Sequence, residues 1–293
     1  LRTLVSRLIV ACQRYLKRER QRVRSFLAQW ASVQQADRDR VASLVDARQT
    51  VVSYYRTYAL KSDGTLISWG KSDQGQPNYT GPDLVKLVRG TDGSFIYGLK
   101  SDGTVRRIYS GYNPPAGLSD VVDIAAGKYY SLALRRDGTV VCWGRNDQGQ
   151  TTPPVGLSNV VALAAAERTS FAIKSDGSVV QWGYTGISLP AGLSNVKHIS
   201  ADGNHRLALK SDGTVVGWGR NTEGQTTPPA GLSDVVSIHA SSNTSFAIKS
   251  DGKVVQWGDT GSSTALLSNV KRLDVYYPHG LALLKDDTAI GWG

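Results

Sequence analysis

Methionine is absent from the 293-residue chain, and cysteine occurs only twice, at Cys12 and Cys142. Two cysteines far apart in the sequence exclude a disulfide framework and supply too few ligands for a cysteine-based metal site. No apolar stretch approaches the roughly 20 residues that a membrane-spanning helix needs. With Leu at position 1, the lack of methionine also leads us to expect a processed or trimmed chain.

Glycine and proline are missing from residues 1–46. Because these two residues are the strongest helix breakers, their absence predicts a long helix. Apolar residues recur there at heptad-like steps and form a seam. We expect this segment to dock the protein into a larger assembly or onto a second copy of itself. The predicted docking residues are Val5, Ile9, Leu16, Val23, Phe26 and Trp30.

Acidic residues are scarce at the same end of the chain. Residues 1–50 contain eleven Arg and Lys but only four Asp and Glu, whereas the whole chain has a net charge of +10. The ordinary interpretation is the solvated face of an amphipathic helix. A patch that binds nucleic acid or another polyanion is the alternative, which we do not favour.

Sequence patterns for catalysis and cofactor binding are absent as well. The four histidines lack metal-ligand spacing, and there is no phosphate-binding glycine loop or nucleophile elbow. We therefore expect neither an enzyme nor a cofactor or metal site.

From residue 47 onward, one phrase occurs seven times. It consists of an apolar run, an Asp-Gly turn (Asp-Asp in the last repeat), alternating β-formers and Trp-Gly (Ser-Gly in the second repeat). The spacing of 35 to 39 residues between turns is typical of solenoids and propellers. The turn aspartates are Asp63, Asp102, Asp137, Asp176, Asp212, Asp251 and Asp286.

Each repeat predicts three or four antiparallel strands. The Asp-Gly pair suits a two-residue hairpin turn in which both residues have positive φ. Connectors with proline, such as residues 150–154, should run over the sheet edge, and the repeated tryptophans should pack between units. Residues 47–293 are thus predicted to form an all-β domain, a seven-bladed β-propeller preceded by the amphipathic helix of residues 1–46. An open solenoid is the alternative, although no capping repeat is evident.

Residues 132–144 and 149–154 resemble the repeats of the regulator of chromosome condensation family. This resemblance implies a seven-bladed propeller. The connector Gly-Gln-Thr-Thr-Pro is similar to the bacterial branch, which includes a secreted β-lactamase inhibitor. The second repeat departs from the pattern, because residues 106–111 replace the Trp-Gly ending. The family contains exchange factors, inhibitors and adhesion modules, so membership alone does not determine function.

The repeats differ most at the two residues before the second strand. Aromatic, Arg and His residues are frequent there, as in protein-binding hot spots. We expect these pairs to ring one mouth of the central channel; the alternative is that the aromatic members fill the channel neck as core. By resemblance, the inhibitory branch presents aromatic residues from this turn to its target. The candidate binding residues are Tyr55, Arg56, Phe95, Tyr129, Tyr130, Arg168, Asn204, His205, Asn243 and His279.

The sequence therefore favours a non-catalytic protein–protein interaction module of bacterial or viral origin. In this hypothesis the helix displays the propeller as an adhesin-like or receptor-binding component of a larger assembly, at an extracellular, cell-surface or particle-surface location. Two alternatives remain: a protein inhibitor of β-lactamase type that caps its target enzyme with the aromatic rim, and a guanine-nucleotide exchange factor that binds chromatin.

Overall fold

The computed structural model describes residues 47–53, 56–70, 81–259, 267–276 and 279–292. All of them belong to one of the two units into which the chain divides, Leu44–Gly293. The predicted helical segment and its seam residues lie outside the described residues, as does Tyr55. Among the described residues there is no helix that could span a membrane.

Seven sheets of three antiparallel strands make up the described part of the chain, each in the order first, second, third strand. This arrangement confirms the seven-bladed propeller. The blades are β1 Ala47–Val52, β2 Arg56–Lys61, β3 Leu66–Gly70; β4 Leu84–Arg89, β5 Ile96–Lys100, β6 Val105–Tyr109; β7 Val121–Ala126, β8 Tyr130–Arg135, β9 Val140–Gly144; β10 Val160–Ala165, β11 Thr169–Lys174, β12 Val179–Gly183; β13 Val196–Asp202, β14 His205–Lys210, β15 Val215–Gly219; β16 Val235–Ser241, β17 Thr244–Lys249, β18 Val254–Gly258; β19 Val270–Tyr276, β20 His279–Leu284, β21 Ala289–Trp292.

The first strand of each blade lines a central channel of about 410 Å³. The ring closes because β19 of the last blade packs against β1 of the first. The Asp274 carboxylate accepts a hydrogen bond from the Val52 amide, and Arg89 Nη2 donates to the Val275 carbonyl at 2.8 Å. An open solenoid has no such contact between its ends, so the ring is the correct alternative.

Tryptophans from the third strands pack between blades, as the repeated position predicts. Trp182 lies against Leu132 and Leu134 of the preceding blade, and it is 5% exposed. The connector completes the contact, because Trp182 Nε1 donates to the Gln150 carbonyl at 3.0 Å. Apolar packing and the connecting chain segment thus both fix this blade to its neighbour.

The Asp-Gly hairpins have three-residue loops, so the prediction of a two-residue turn was wrong. In the first blade, Lys61 N donates to Thr65 O at 2.9 Å and Gly64 N donates to Lys61 O at 3.0 Å. Only Gly64 has a positive φ, of +85°. The Asp63 carboxylate instead accepts from Thr65 N at 2.8 Å, so the aspartate stabilises a type I turn through its side chain.

The second blade departs from the others at the place where its sequence does. Ile96 pairs with Tyr109 and Tyr97 pairs with Arg107, so β6 contains one extra residue. That residue, Ile108, is buried in a cluster with Tyr58 of the first blade. A bulge and an isoleucine thus replace the tryptophan that other blades insert at this interface.

Candidate protein interface

Two sets of variable residues lie at one end of the ring: those in the turn after the first strand and those that follow the third strand. Because the three strands of a blade alternate in direction, the turn after the first strand and the end of the third strand lie at the same end. Backbone hydrogen bonds join them in four blades: Arg145 N to Tyr129 O at 2.8 Å, Tyr184 N to Arg168 O at 2.9 Å, Arg220 N to Asn204 O at 2.8 Å and Asp259 N to Asn243 O at 3.0 Å. We call this end the loop face, and the end with the Asp hairpins the hairpin face.

The two members of each predicted pair differ in exposure, because successive side chains alternate between the sides of a strand. The first members are accessible: Tyr129 is 42% exposed, Asn204 is exposed, the Arg168 side chain is 41% exposed and Asn243 is half-buried. The second members are mostly buried, with His279 as the exposed exception: Arg56, Phe95, Tyr130 and His205 are at most 7% exposed.

The buried members join neighbouring blades. Tyr130 Oη donates to the Thr169 carbonyl of the next blade at 2.7 Å, and burial raises the pKa of Tyr130. His205 Nε2 lies 2.9 Å from Ser245 Oγ of the next blade, and burial lowers the pKa of His205 to about 4. Phe95 packs edge-to-face on Tyr97, 5.3 Å between centroids. Phe95, Tyr130 and His205 therefore occupy the core, as the alternative interpretation held, and are excluded from the interface proposed below.

Sequence reasoning missed two exposed tyrosines on the loop face. Tyr112 is 54% exposed and Tyr184 is 45% exposed; each directly follows the glycine that ends the repeated phrase. With Tyr129 they are the large aromatic side chains that stand exposed among the described residues, and they come from three successive blades. The sequence held a usable signal, because the residue after this glycine varies between repeats while the glycine does not.

Ion pairs restrain several charged side chains of the loop face. Lys128 Nζ lies 2.9 Å from Glu167 Oε1, and Arg145 Nη2 lies 2.7 Å from Asp147 Oδ2. Hydrogen bonds from Gln150 and Arg145 lower the pKa of Asp147. All these side chains remain about one-third exposed, so solvent screens the pairs and they contribute little to stability.

A recess of about 470 Å³ opens on the loop face between the last blade and the first three. We call it the tyrosine recess, because Tyr58, Tyr109, Tyr129 and Tyr276 line it together with Arg56, Lys128 and residues 92–94. Tyr276 Oη donates to the Asp92 carbonyl at 2.9 Å, which holds one wall in place.

Half-buried and exposed polar side chains also line the central channel. Lys86 pairs with Asp123, and Arg89 Nη2 lies 3.9 Å from Asp274 Oδ1. Desolvation inside the channel lowers the pKa of His198 to about 4 and that of His239 to about 3, although His198 is exposed and His239 is half-buried. No three His, Cys, Asp or Glu residues in the described part of the chain lie close enough together to hold a metal ion.

Two segments of the chain match the family model of the regulator of chromosome condensation (RCC1) repeat, residues 121–150 and 196–225. They are the third and fifth blades, each with its connector. The chain carries RCC1 repeats. The other blades share the same three-strand topology. Affiliation with the bacterial branch stays a prediction.

Solved structures with similar folds come from plants and yeast. The CRINKLY WD40 ectodomain of the Arabidopsis thaliana receptor kinase ACR4 aligns with a TM-score of 0.69 and 22% identity over 83% of this chain and 94% of that one. The Physcomitrella patens receptor kinase CR4 ectodomain gives 0.67 and 22%, over 83% and 73%. Prp20p from Saccharomyces cerevisiae gives 0.57 and 20%, over 72% and 71%. No curated protein matches the chain in sequence.

Proposed function

We propose that the protein is a non-catalytic binding module that recognises a partner protein with its loop face. The observation that carries this proposal is the group of exposed tyrosines Tyr112, Tyr129 and Tyr184 on three successive blades. Tyrosine buries a large area with only two side-chain torsions and is enriched in interface hot spots. These residues lie in loops at the ends of the strands, which is how a rigid scaffold presents binding residues.

Several structural neighbours support a binding role by analogy. Prp20p binds Gsp1p and histones, and Kap60 binds Prp20. The ACR4 and CR4 propellers are parts of receptor ectodomains, which supports an extracellular or particle-surface location for this chain. In the full proposal, residues 1–46 dock the propeller into a larger, adhesin-like assembly. Sedimentation of the full chain with Leu16→Glu and Phe26→Glu tests this part, and unchanged association would contradict it.

Affinity capture of partner proteins by the full chain tests whether the loop face is the binding surface. Replacing Tyr112, Tyr129 and Tyr184 together by serine should abolish capture. The matched control makes the same replacement at Val122, Val161 and Val236, which are 41% to 56% exposed. These valines are the second residues of their strands and lie toward the hairpin face. Capture that survives the tyrosine variant and fails with the valine variant would place binding at the other end.

The identity of the captured partner separates the finer hypotheses. Inhibition of a purified β-lactamase at micromolar concentration would favour the inhibitor. Capture of a small GTPase, with exchange of its nucleotide, would favour the exchange factor. A structural or receptor protein would favour the adhesin-like component.

A further inference from the structure

The central channel contains a positive charge that no described side chain balances. Arg272 of β19 lines the channel and is exposed, and it makes no hydrogen bond or ion pair with any described residue. The other cations of the lining are engaged, because Lys86 pairs with Asp123 and Arg89 donates to the Val275 carbonyl. The N–H donors of the Arg272 guanidinium are therefore available to a ligand that enters the channel.

His198 and Arg272 occupy equivalent places on the two blades that flank the sixth blade. Each is the third residue of the first strand of its blade, in β13 and in β19, and each lines the channel. His239 of the intervening β16 lies near both: desolvation lowers its pKa to about 3, and the charges of His198 and Arg272 act in the same direction. One wall of the channel, from β13 to β19, thus brings these side chains together.

This wall offers further hydrogen-bond donors. His198 is exposed to the channel without a hydrogen-bond partner among the described residues, and because desolvation lowers its pKa to about 4 the ring is neutral at pH 7 and carries one N–H. Ser200 Oγ accepts from Ala240 N at 2.9 Å, which leaves the hydroxyl hydrogen free to donate. The carboxylate of the lining, Asp274, already accepts from the Val52 amide. An unbalanced charge beside free donors favours an anion.

A phosphate group fits this wall better than a carboxylate does. Its oxygens point in tetrahedral directions, so one phosphate can accept hydrogen bonds from several strands, whereas a carboxylate is planar and has only two oxygens. The arginine fork also binds phosphate through two parallel, charge-assisted hydrogen bonds. The channel volume of about 410 Å³ lies within the range of small-molecule sites, so it has room for a molecule larger than the phosphate group itself.

We propose that the central channel binds a phosphate group, which the Arg272 guanidinium holds with His198 and the Ser200 hydroxyl as further donors. The phosphate is either the free inorganic ion or part of a small phosphorylated molecule. The loop-face tyrosines Tyr112, Tyr129 and Tyr184 do not line the channel. The channel site therefore goes beyond the proposed function, and either proposal can fail without the other.

Calorimetric titration of the full chain with inorganic phosphate, at low salt, tests the site. Arg272→Gln should weaken phosphate binding by about tenfold or more, because it removes charge-assisted hydrogen bonds. The melting temperature should not change, since Arg272 has no partner to lose. His198→Ala should weaken binding by about fivefold through the loss of a neutral donor. The fold accommodates alanine at this place, because Ala162 is the third residue of β10 in the preceding blade.

Lys271→Gln is the matched control. It removes the same charge from the neighbouring residue of β19, which lies outside the channel lining and pairs with Asp287 at 2.9 Å. Its phosphate affinity should stay within about twofold of the parent, because exposed charges are screened. An equal loss in Lys271→Gln and Arg272→Gln would show general charge attraction and overturn the site.

Two further ligands complete the test. Glycerol 3-phosphate that binds more tightly than inorganic phosphate would support a phosphorylated small molecule, and equal or weaker binding would support the free ion. Acetate that binds as tightly as phosphate would overturn the choice of a phosphate group. The proposal is wrong if the parent protein binds no phosphate at millimolar concentration, or if Arg272→Gln binds it as the parent does.

Discussion

Tyr129 combines an exposed aromatic ring with a φ of +63°, a region that bulky residues rarely adopt. The turn holds this conformation, because the Tyr129 carbonyl accepts from Arg145 N at 2.8 Å. Asparagine adopts this region readily, whereas tyrosine is strained there. The strain at this position supports our proposal that Tyr129 serves binding rather than folding.

Tyr129→Asn should stabilise the fold by about 1 kcal/mol, since left-handed backbone costs roughly 1–2 kcal/mol in an ordinary residue. The same change should weaken partner binding. Thermal unfolding and partner affinity measure the two effects. Tyr184→Asn is the control, because Tyr184 is equally exposed and lacks a positive φ, so its stability should stay within about 0.5 kcal/mol. A lower melting temperature for Tyr129→Asn would contradict the assigned strain.

At the scale of single residues, the sequence predicted where the candidate site lies better than it predicted which of its side chains are exposed. Both residues of each pair vary between repeats, so variation alone could not tell Tyr129 from Tyr130. The side to which each side chain points depends on where the second strand begins. If the strand began one residue earlier or later, every side chain would point to the opposite side. In the structure β8 begins at Tyr130, which turns inward and leaves Tyr129 in the turn.

At the scale of secondary-structure elements, the connector that leaves one blade accepts hydrogen bonds from side chains of the next blade. The Gln225 carbonyl accepts from Trp257 Nε1 at 2.9 Å and from Ser245 Oγ at 2.7 Å, and Gln225 is fully buried. Trp218 occupies the same place in its own blade, but its Nε1 has no hydrogen-bond partner among the described residues. These two tryptophans therefore separate the apolar contribution from the hydrogen bond.

Trp257→Phe should destabilise the protein by about 1 kcal/mol more than Trp218→Phe, because both lose ring area but only the first loses a hydrogen bond. The two side chains are almost equally buried, at 6% and 7% exposure, which makes the comparison a matched one. Urea unfolding of the two variants measures the difference. An equal loss of stability would show that the connector bond contributes nothing.

The buried His205 should make the ring sensitive to acid. Burial lowers the pKa of His205 from 6.5 to about 4 in the folded protein. Between these values the unfolded chain binds more protons, so the stability present above pH 6.5 is lost as the pH falls toward 4. The lowered pKa values of His198 and His239 act in the same direction.

His205→Thr should reduce this pH dependence, since threonine is the natural residue at the same place in two other blades. There, Thr169 Oγ1 donates to the Tyr184 carbonyl at 3.1 Å and Thr244 Oγ1 donates to the Asp259 carbonyl at 2.7 Å. Melting temperatures between pH 7 and pH 4 provide the measurement, with the exposed His279→Thr as control. A pH profile unchanged from the parent would refute the role given to His205.

The hairpins illustrate the limit of local sequence patterns. Asp-Gly fits a two-residue turn and also the last two positions of a three-residue loop, and the dipeptide alone does not separate them. The residue two positions after the aspartate helps to decide the outcome, because Thr139 N donates to the Asp137 carboxylate at 2.9 Å and Arg135 N donates to Thr139 O. In the last blade Asp287 takes the place of glycine with a φ of +63°.

For the whole molecule, the repeat count and spacing were enough to predict a ring of seven blades. Closure follows from geometry that the repeats share, and the contact of β19 with β1 confirms it. The tyrosine recess could not be predicted, because its lining comes from the last blade and the first three, whose nearness depends on closure. The role of residues 1–46 stays a prediction.

We propose that the loop face, and within it the exposed tyrosines, forms the binding surface. Hydroxyl-radical footprinting of the full chain, free and in complex with its captured partner, measures this most directly. We predict protection of Tyr112, Tyr129 and Tyr184 and unchanged oxidation of Val122, Val161 and Val236. Protection of the valines with undiminished oxidation of the tyrosines would contradict the account.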